Sequence, residues 1–167
     1  MMLFLFVLGV YMIDLGYYDK NYTVSYSVHK AVGLIALALA LCQVLWALTH
    51  ESLALVATLK YWERVAAGLM HKLLFLLIVL IPLSGYAIAV AAGQGVDVFG
   101  LMTVPAVFPK MLEMEDIASD AHFYLTYGGA GLVVLHMLAA LKHHLVDKDR
   151  TLRRMLFERQ VTISSEE

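Results

Sequence analysis

The chain has 167 residues, 61% of them hydrophobic and only 16% charged, with 12 Lys and Arg against 14 Asp and Glu. A mean hydropathy of +0.76 and a formal net charge of -2 exclude a soluble globule and a basic nucleic-acid binder. Membrane lipid is the expected surrounding.

The first element in chain order is the apolar run from Met1 to Ile13, too short to cross a bilayer alone at about 1.5 Å per helical residue. It has no basic start, and Tyr17, Tyr18 and Asp19 follow in place of a small-residue cleavage site, so a signal peptide is disfavoured. We read it as the outer part of a first span, over approximately 1–15, whose beginning lies before Met1. Uncharged stretches then run from Ala31 to Thr49, Leu73 to Val96 and Ala121 to Leu141. Each is near the ~20 residues that a helix needs to cross hydrocarbon. With their interfacial ends they predict spans over approximately 29–49, 68–92 and 119–144. The expected fold is all-α: an integral membrane four-helix bundle with a truncated first helix, forming one domain over 1–167. No repeat or linker divides it.

Basic residues near span ends mark the cytoplasmic side. Lys142, Lys148, Arg150, Arg153, Arg154 and Arg159 follow the last span, whereas Lys110 stands against Asp97, Glu113, Glu115, Asp116 and Asp120 in the loop before it. The C-terminus is therefore expected inside, and the segments 14–27 and 93–119 outside. The latter mixes Gly93, Gly95, Gly100, Pro105 and Pro109 with Val98, Phe99, Leu101 and Phe108, which suits an irregular lid pressed on the membrane surface or a plain connector. Cys42, the one cysteine, is expected to be a small packing residue, and no disulfide can form within the chain.

Seven histidines carry the chemistry. His122 and His136 are fourteen residues apart on one apolar segment, almost four helical turns, so they share a face at a separation of roughly 21 Å. Imidazole in hydrocarbon is costly and usually functional, and two such shelves in register suggest two stacked haems. His29 begins the second span at the external side, level with His122. His71 begins the third span from the cytoplasmic side, near the depth of His136, and His143 follows His136 by two turns on the same face. Paired neutral imidazoles are what a six-coordinate haem b requires, and no cysteine pair or carboxylate cluster suggests another metal. His29 and His122 satisfy this for an outer haem, with Gly33, Gly128, Gly129 and Gly131 allowing close approach of porphyrin or a neighbouring helix. Hydrogen-bonded helix contacts are the plainer reading of membrane histidines. For His50 and His144 a solvated interfacial role is preferred.

The segments His29-Lys30-Ala31-Val32-Gly33, Pro82-Leu83-Ser84-Gly85-Tyr86, Phe99-Gly100-Leu101, and Leu135-His136 through Ala139-Ala140-Leu141 to His143-His144, with Asp149 and Leu152-Arg153-Arg154-Met155, resemble the bacterial cytochrome b561 family over essentially the whole chain. The resemblance implies a four-helix bundle of the bacterial inner membrane that holds two b haems and exchanges electrons with ubiquinone, like superoxide:quinone oxidoreductases. It implies that His29 and His122 bind the iron of the outer haem and His136 one face of the inner haem, and that His71 and His143 lie at a cytoplasmic quinone site. One departure matters: the family's His-Trp pair early in the first span, whose histidine is the other inner ligand, has no counterpart before His29. That position would fall before Met1. Taken as it stands, the chain would have an inner haem with one ligand, open to recruiting His71, or no inner haem.

The function so implied is one-electron transfer between a periplasmic donor and the membrane quinone pool of a respiratory chain. Superoxide is a candidate donor, which external Lys20, Lys30 and Lys110 could attract, against the opposing charge of Asp116 and Asp120. The alternatives are a cytochrome b subunit serving a periplasmic dehydrogenase or partner haem protein, and a haem-free membrane scaffold.

Overall fold

A computed structural model describes residues 1–16, 18–50 and 60–148. It consists of helices α1 (Met2–Asp14), α2 (Lys20–Thr49), α3 (Tyr61–Ala91) and α4 (Leu112–Leu145), with a hairpin of strands β1 (Val96–Val98) and β2 (Met102–Val104) between the last two helices. The three longer helices are long and apolar enough to cross a membrane, and α1 is a shorter apolar helix. The all-α membrane bundle is thus as expected, and lipid is its solvent. Arg150, Arg153, Arg154 and Arg159, on which the expected orientation partly rests, lie outside the described residues, as do Tyr17, Asp149 and the Leu152 to Met155 motif.

The helices run past the uncharged stretches. The 34 residues of α4 span about 51 Å at 1.5 Å per residue, against about 30 Å of hydrocarbon, so both of its ends project beyond the apolar layer. At its start α2 is capped by Asp19, whose carboxylate accepts from the Asn21 backbone N–H at 2.7 Å, satisfying one of the free donors of a helix N-terminus. The Glu63 carboxylate does the same for the Lys60 backbone N–H at 3.1 Å where α3 begins.

Inside the bundle the buried residues are mostly small, among them Ala31, Ala36, Ala40, Ala89 and Ala140. Large side chains such as Leu3, Leu45 and Leu138 face outward. This is the membrane pattern, in which lipid is as apolar as leucine and helices associate through close backbone approach. At Gly129, in α4, a Cβ would fall 3.1 Å from Ile81 Cδ1, so α3 and α4 are in close contact there. An edge-to-face contact between Phe6 and Tyr127, 5.7 Å between ring centres, ties α1 to α4. Cys42 corrects its expectation: it is exposed on the outside of α2, because Ala36, Leu37 and Ala40 occupy the inward face and a residue two positions after Ala40 points away.

The segment expected to be irregular contains the hairpin. Val96 pairs with Val104 and Val98 with Met102, and the turn takes the positive φ of Phe99 (55°) and Gly100 (73°), the backbone twist that suits two antiparallel strands. The Gly100 N–H donates to the Asp97 carboxylate at 2.9 Å, and the Tyr86 hydroxyl to the Pro105 carbonyl at 3.2 Å. Val96 is buried, whereas Phe99, Leu101 and Phe108 are exposed. The segment is therefore attached to the end of the bundle by one face and presents apolar side chains on the other.

Candidate functional site

A cavity of about 650 Å³ opens among the four helices under the hairpin, and its walls include Phe6, Leu34, Ile78, Val96 and Val133. His29 from α2 and His122 from α4 face each other across it, with ring centres 6.3 Å apart and planes at 86°. Polar groups in so apolar a pocket mark a ligand site.

For His122 the second ring nitrogen tells which atom is free to bind. His122 Nδ1 lies 3.0 Å from the Ile81 carbonyl, and a carbonyl can only accept, so Nδ1 carries the proton and Nε2 keeps the lone pair. Ser84 Oγ is also 3.0 Å from His122 Nδ1 and its hydroxyl donates to the same carbonyl at 2.8 Å. The ring fits because residue 85 is glycine: a Cβ there would be 3.1 Å from His122 Cε1. Gly9 does the same for His29, at 3.3 Å from Cε1. His29 Nδ1 is buried with no hydrogen-bond partner among the described residues, as is the Thr126 hydroxyl on the cavity wall.

Two imidazoles that bond one metal at about 2 Å each, with roughly 1 Å more from nitrogen to ring centre, stand roughly 6 Å apart. The observed 6.3 Å fits that arrangement. Gly33, one turn after His29, lines the cavity and has open space where a side chain would be, so the pocket wall beside the histidine is left flat. A planar macrocycle with a bis-imidazole metal is compatible with these residues. Among the described residues Lys30 is the one Lys, Arg, Asp or Glu on the cavity wall, and its ammonium rests 4.3 Å from the centre of the Tyr26 ring.

Toward the end remote from the hairpin, the exposed His71 and the half-buried His136 are in contact, ring centres 5.3 Å apart at 74°, closer than two imidazoles sharing a metal. At the end remote from the hairpin, His143 Nδ1 is 2.9 Å from the Asp147 carboxylate. Lys142 bridges Asp147 at 2.7 Å and Glu63 at 3.1 Å. The oxygens of Glu63 and Asp147 and the His143 nitrogen are close enough to share a metal ion, but the Lys142 ammonium is already paired with both acids. His50 stacks on Trp46 at 3.6 Å and reaches the Trp46 carbonyl at 3.0 Å on the exposed end of α2. His144, Lys20, Lys110, Asp116 and Asp120 are exposed, and a Cβ at Gly128 or Gly131 would meet nothing within 4 Å among the described residues.

Several participants carry no signal that reading the histidines alone reveals. The Ile81 carbonyl is main chain, and Gly9 lies in a segment without polar residues. Ser84 and Gly85 sit inside a recognisable motif, whose spacing after Pro82 was the available cue. Glu63 was hidden among the charges before the third span.

Residues 1–158 match the family model described as prokaryotic cytochrome b561. The chain is 37% identical over 152 residues to cytochrome b561 homolog 2 of Escherichia coli (strain K12), covering 91% of this chain and 81% of that protein. It is 27% identical over 142 residues to cytochrome b561 homolog 1 of the same organism, covering 85% and 80%. With the probable superoxide oxidase CybB of Yersinia pestis it shares 30% identity over 129 residues, covering 77% and 73%.

Proposed function

Because the chain belongs to the prokaryotic cytochrome b561 family, membrane b-type cytochromes of electron transfer, we propose that it moves single electrons between a donor at the hairpin end and ubiquinone at the other. In this reading the hairpin faces the periplasm, the C-terminus lies in the cytoplasm, and the membrane is the bacterial inner membrane. The observation that carries the reading is the facing of His29 and His122 at 6.3 Å across an apolar cavity. When bound there, haem b supplies reversible one-electron chemistry.

The residues of the chain do the positioning. His122, oriented by the Ile81 carbonyl, presents Nε2, and His29 presents a nitrogen from the facing helix. Leu34, Ile78 and Val133 keep water from the centre, and a dry, low-dielectric surrounding is one of the protein's means of setting a potential. His136 serves a second haem, nearer the end remote from the hairpin. At the far end His71 and His143 contact the quinone headgroup: an imidazole can donate a hydrogen bond to a carbonyl, and Asp147 stands beside His143.

Superoxide as the donor is supported by Lys30, whose positive charge lies on the cavity wall beside His29, and by the probable superoxide oxidase among the relatives. The exposed Phe99 and Leu101 of the hairpin favour a second reading, in which a periplasmic dehydrogenase or haem protein docks there. Reduction of the purified holoprotein by enzymatically generated superoxide, followed at the haem bands, separates the two: rapid reduction supports superoxide, and none supports a protein donor.

A further inference from the structure

We propose that Ser84 is a positioning residue for His122 and lowers the redox potential of the haem at that site; this rests on His122 being an axial ligand. A serine within a helix commonly bonds back to a carbonyl of the preceding turn, and the 2.8 Å bond from the Ser84 hydroxyl to the Ile81 carbonyl is of that kind. It does not account for the second contact. Ser84 Oγ also lies 3.0 Å from His122 Nδ1 on another helix. Since the hydroxyl proton is committed to Ile81, the oxygen lone pairs are left toward Nδ1, whose single proton is shared between Ser84 Oγ and the Ile81 carbonyl, itself at 3.0 Å. Residues 81–85 thus form one cradle: a carbonyl and a hydroxyl that receive the Nδ1–H, and a glycine that leaves room for the ring, 3.1 Å from the place of its absent Cβ.

The facing ligand has no such support. His29 Nδ1 is buried without a hydrogen-bond partner among the described residues. Two acceptors on one imidazole and none on the other make the donor strength of the pair unequal. Acceptors at the remote nitrogen raise the basicity of a ligating imidazole, and greater electron donation favours the oxidised metal. Ser84 therefore acts from the His122 side, and a single hydroxyl sets part of the potential of the outer centre.

The test compares the purified full-length holoprotein with Ser84→Ala, Ser84→Thr and Ser84→Cys variants by spectroelectrochemical titration and low-temperature electron paramagnetic resonance. Ser84→Ala is expected to keep its haem content, to shift the outer haem to higher potential and to change that centre's low-spin signal, while any other haem titrates as before. Ser84→Thr, which retains the hydroxyl, should match the wild type. If Ser84→Ala assembles poorly, Ser84→Cys, a weaker acceptor of similar size, reads the same upward shift. An unaltered potential and signal in the Ala and Cys variants would overturn the role of Ser84. His122→Ala, measured alongside, keeps the two levels apart: haem loss there with an unmoved Ser84→Ala potential defeats this inference alone, whereas full haem content in His122→Ala defeats the ligand assignment and this inference together.

Discussion

Gly85 and His122 are matched across the interface of α3 and α4: the ring passes where a side chain would stand, with Cε1 3.1 Å from the position of the missing Cβ. Glycine leaves that space, since the nearest atoms, Cε1 and Nδ1, belong to a ring whose Nδ1 is held by the Ile81 carbonyl. Gly85→Ala should therefore weaken haem retention, and Gly85→Val, which needs the ring to leave, should abolish it at this site while the bundle still inserts. Overpacking of this type costs about 1–3 kcal/mol. Haem-to-protein ratio after detergent extraction measures it, and a Gly85→Val variant with a full complement would contradict the fit.

Lys142 connects the nearly buried Glu63 to Asp147 at the end remote from the hairpin. Replacing it by Met strands one carboxylate that is 9% exposed without its counter-charge, the costly way to break such a pair. Lys142→Met should lower the thermal unfolding midpoint in detergent, and Lys142→Met combined with Glu63→Gln should recover most of the loss. Equal midpoints in wild type and single variant would mean that the bridge is only a surface contact.

How much of this can be read in the sequence depends on the kind of signal. The spans were legible because an uncharged apolar stretch of about twenty residues matches the thickness of the hydrocarbon layer and is rare elsewhere, and the depth of His29 and His122 followed from their distance to the span ends. The structure brings those two rings together across a cavity. Helix ends were not legible, since the backbone stays helical through polar turns such as Lys20 to Ser27 and Leu112 to Ser119, where hydropathy gives no cue. Strands of three residues are too short for an alternating pattern, so the hairpin was hidden. The cradle at residues 81–85 was invisible in part because its central group is a carbonyl, which every residue has. The inward face of α2 could not be told from the outward one, both being apolar, and Cys42 was misplaced for that reason.

Lys30 brings positive charge to the cavity wall, where it acts on an approaching anion more than on a neutral donor. Lys30→Gln should slow haem reduction by superoxide several-fold and flatten its dependence on ionic strength, as expected when steering is removed, with the visible spectrum unchanged. A rate and salt dependence equal to wild type, followed by stopped flow, would rule Lys30 out of donor attraction.

His143 and His71 are the groups assigned to quinone. His143→Leu and His71→Leu should keep the spectrum of the outer haem and slow reoxidation of the reduced protein by a soluble quinone analogue, the double variant more than either. Reoxidation at the wild-type rate in both single variants and in the double variant would exclude a quinone site at these two residues.

The central claim is that His29 and His122 hold one haem b between them. Pyridine haemochrome content and the reduced-minus-oxidised spectrum of purified wild type, His29→Ala and His122→Ala measure it directly, with membrane insertion checked in parallel. Each substitution should remove one haem per chain from a bundle that still inserts; haem content unchanged in both variants would contradict the assignment.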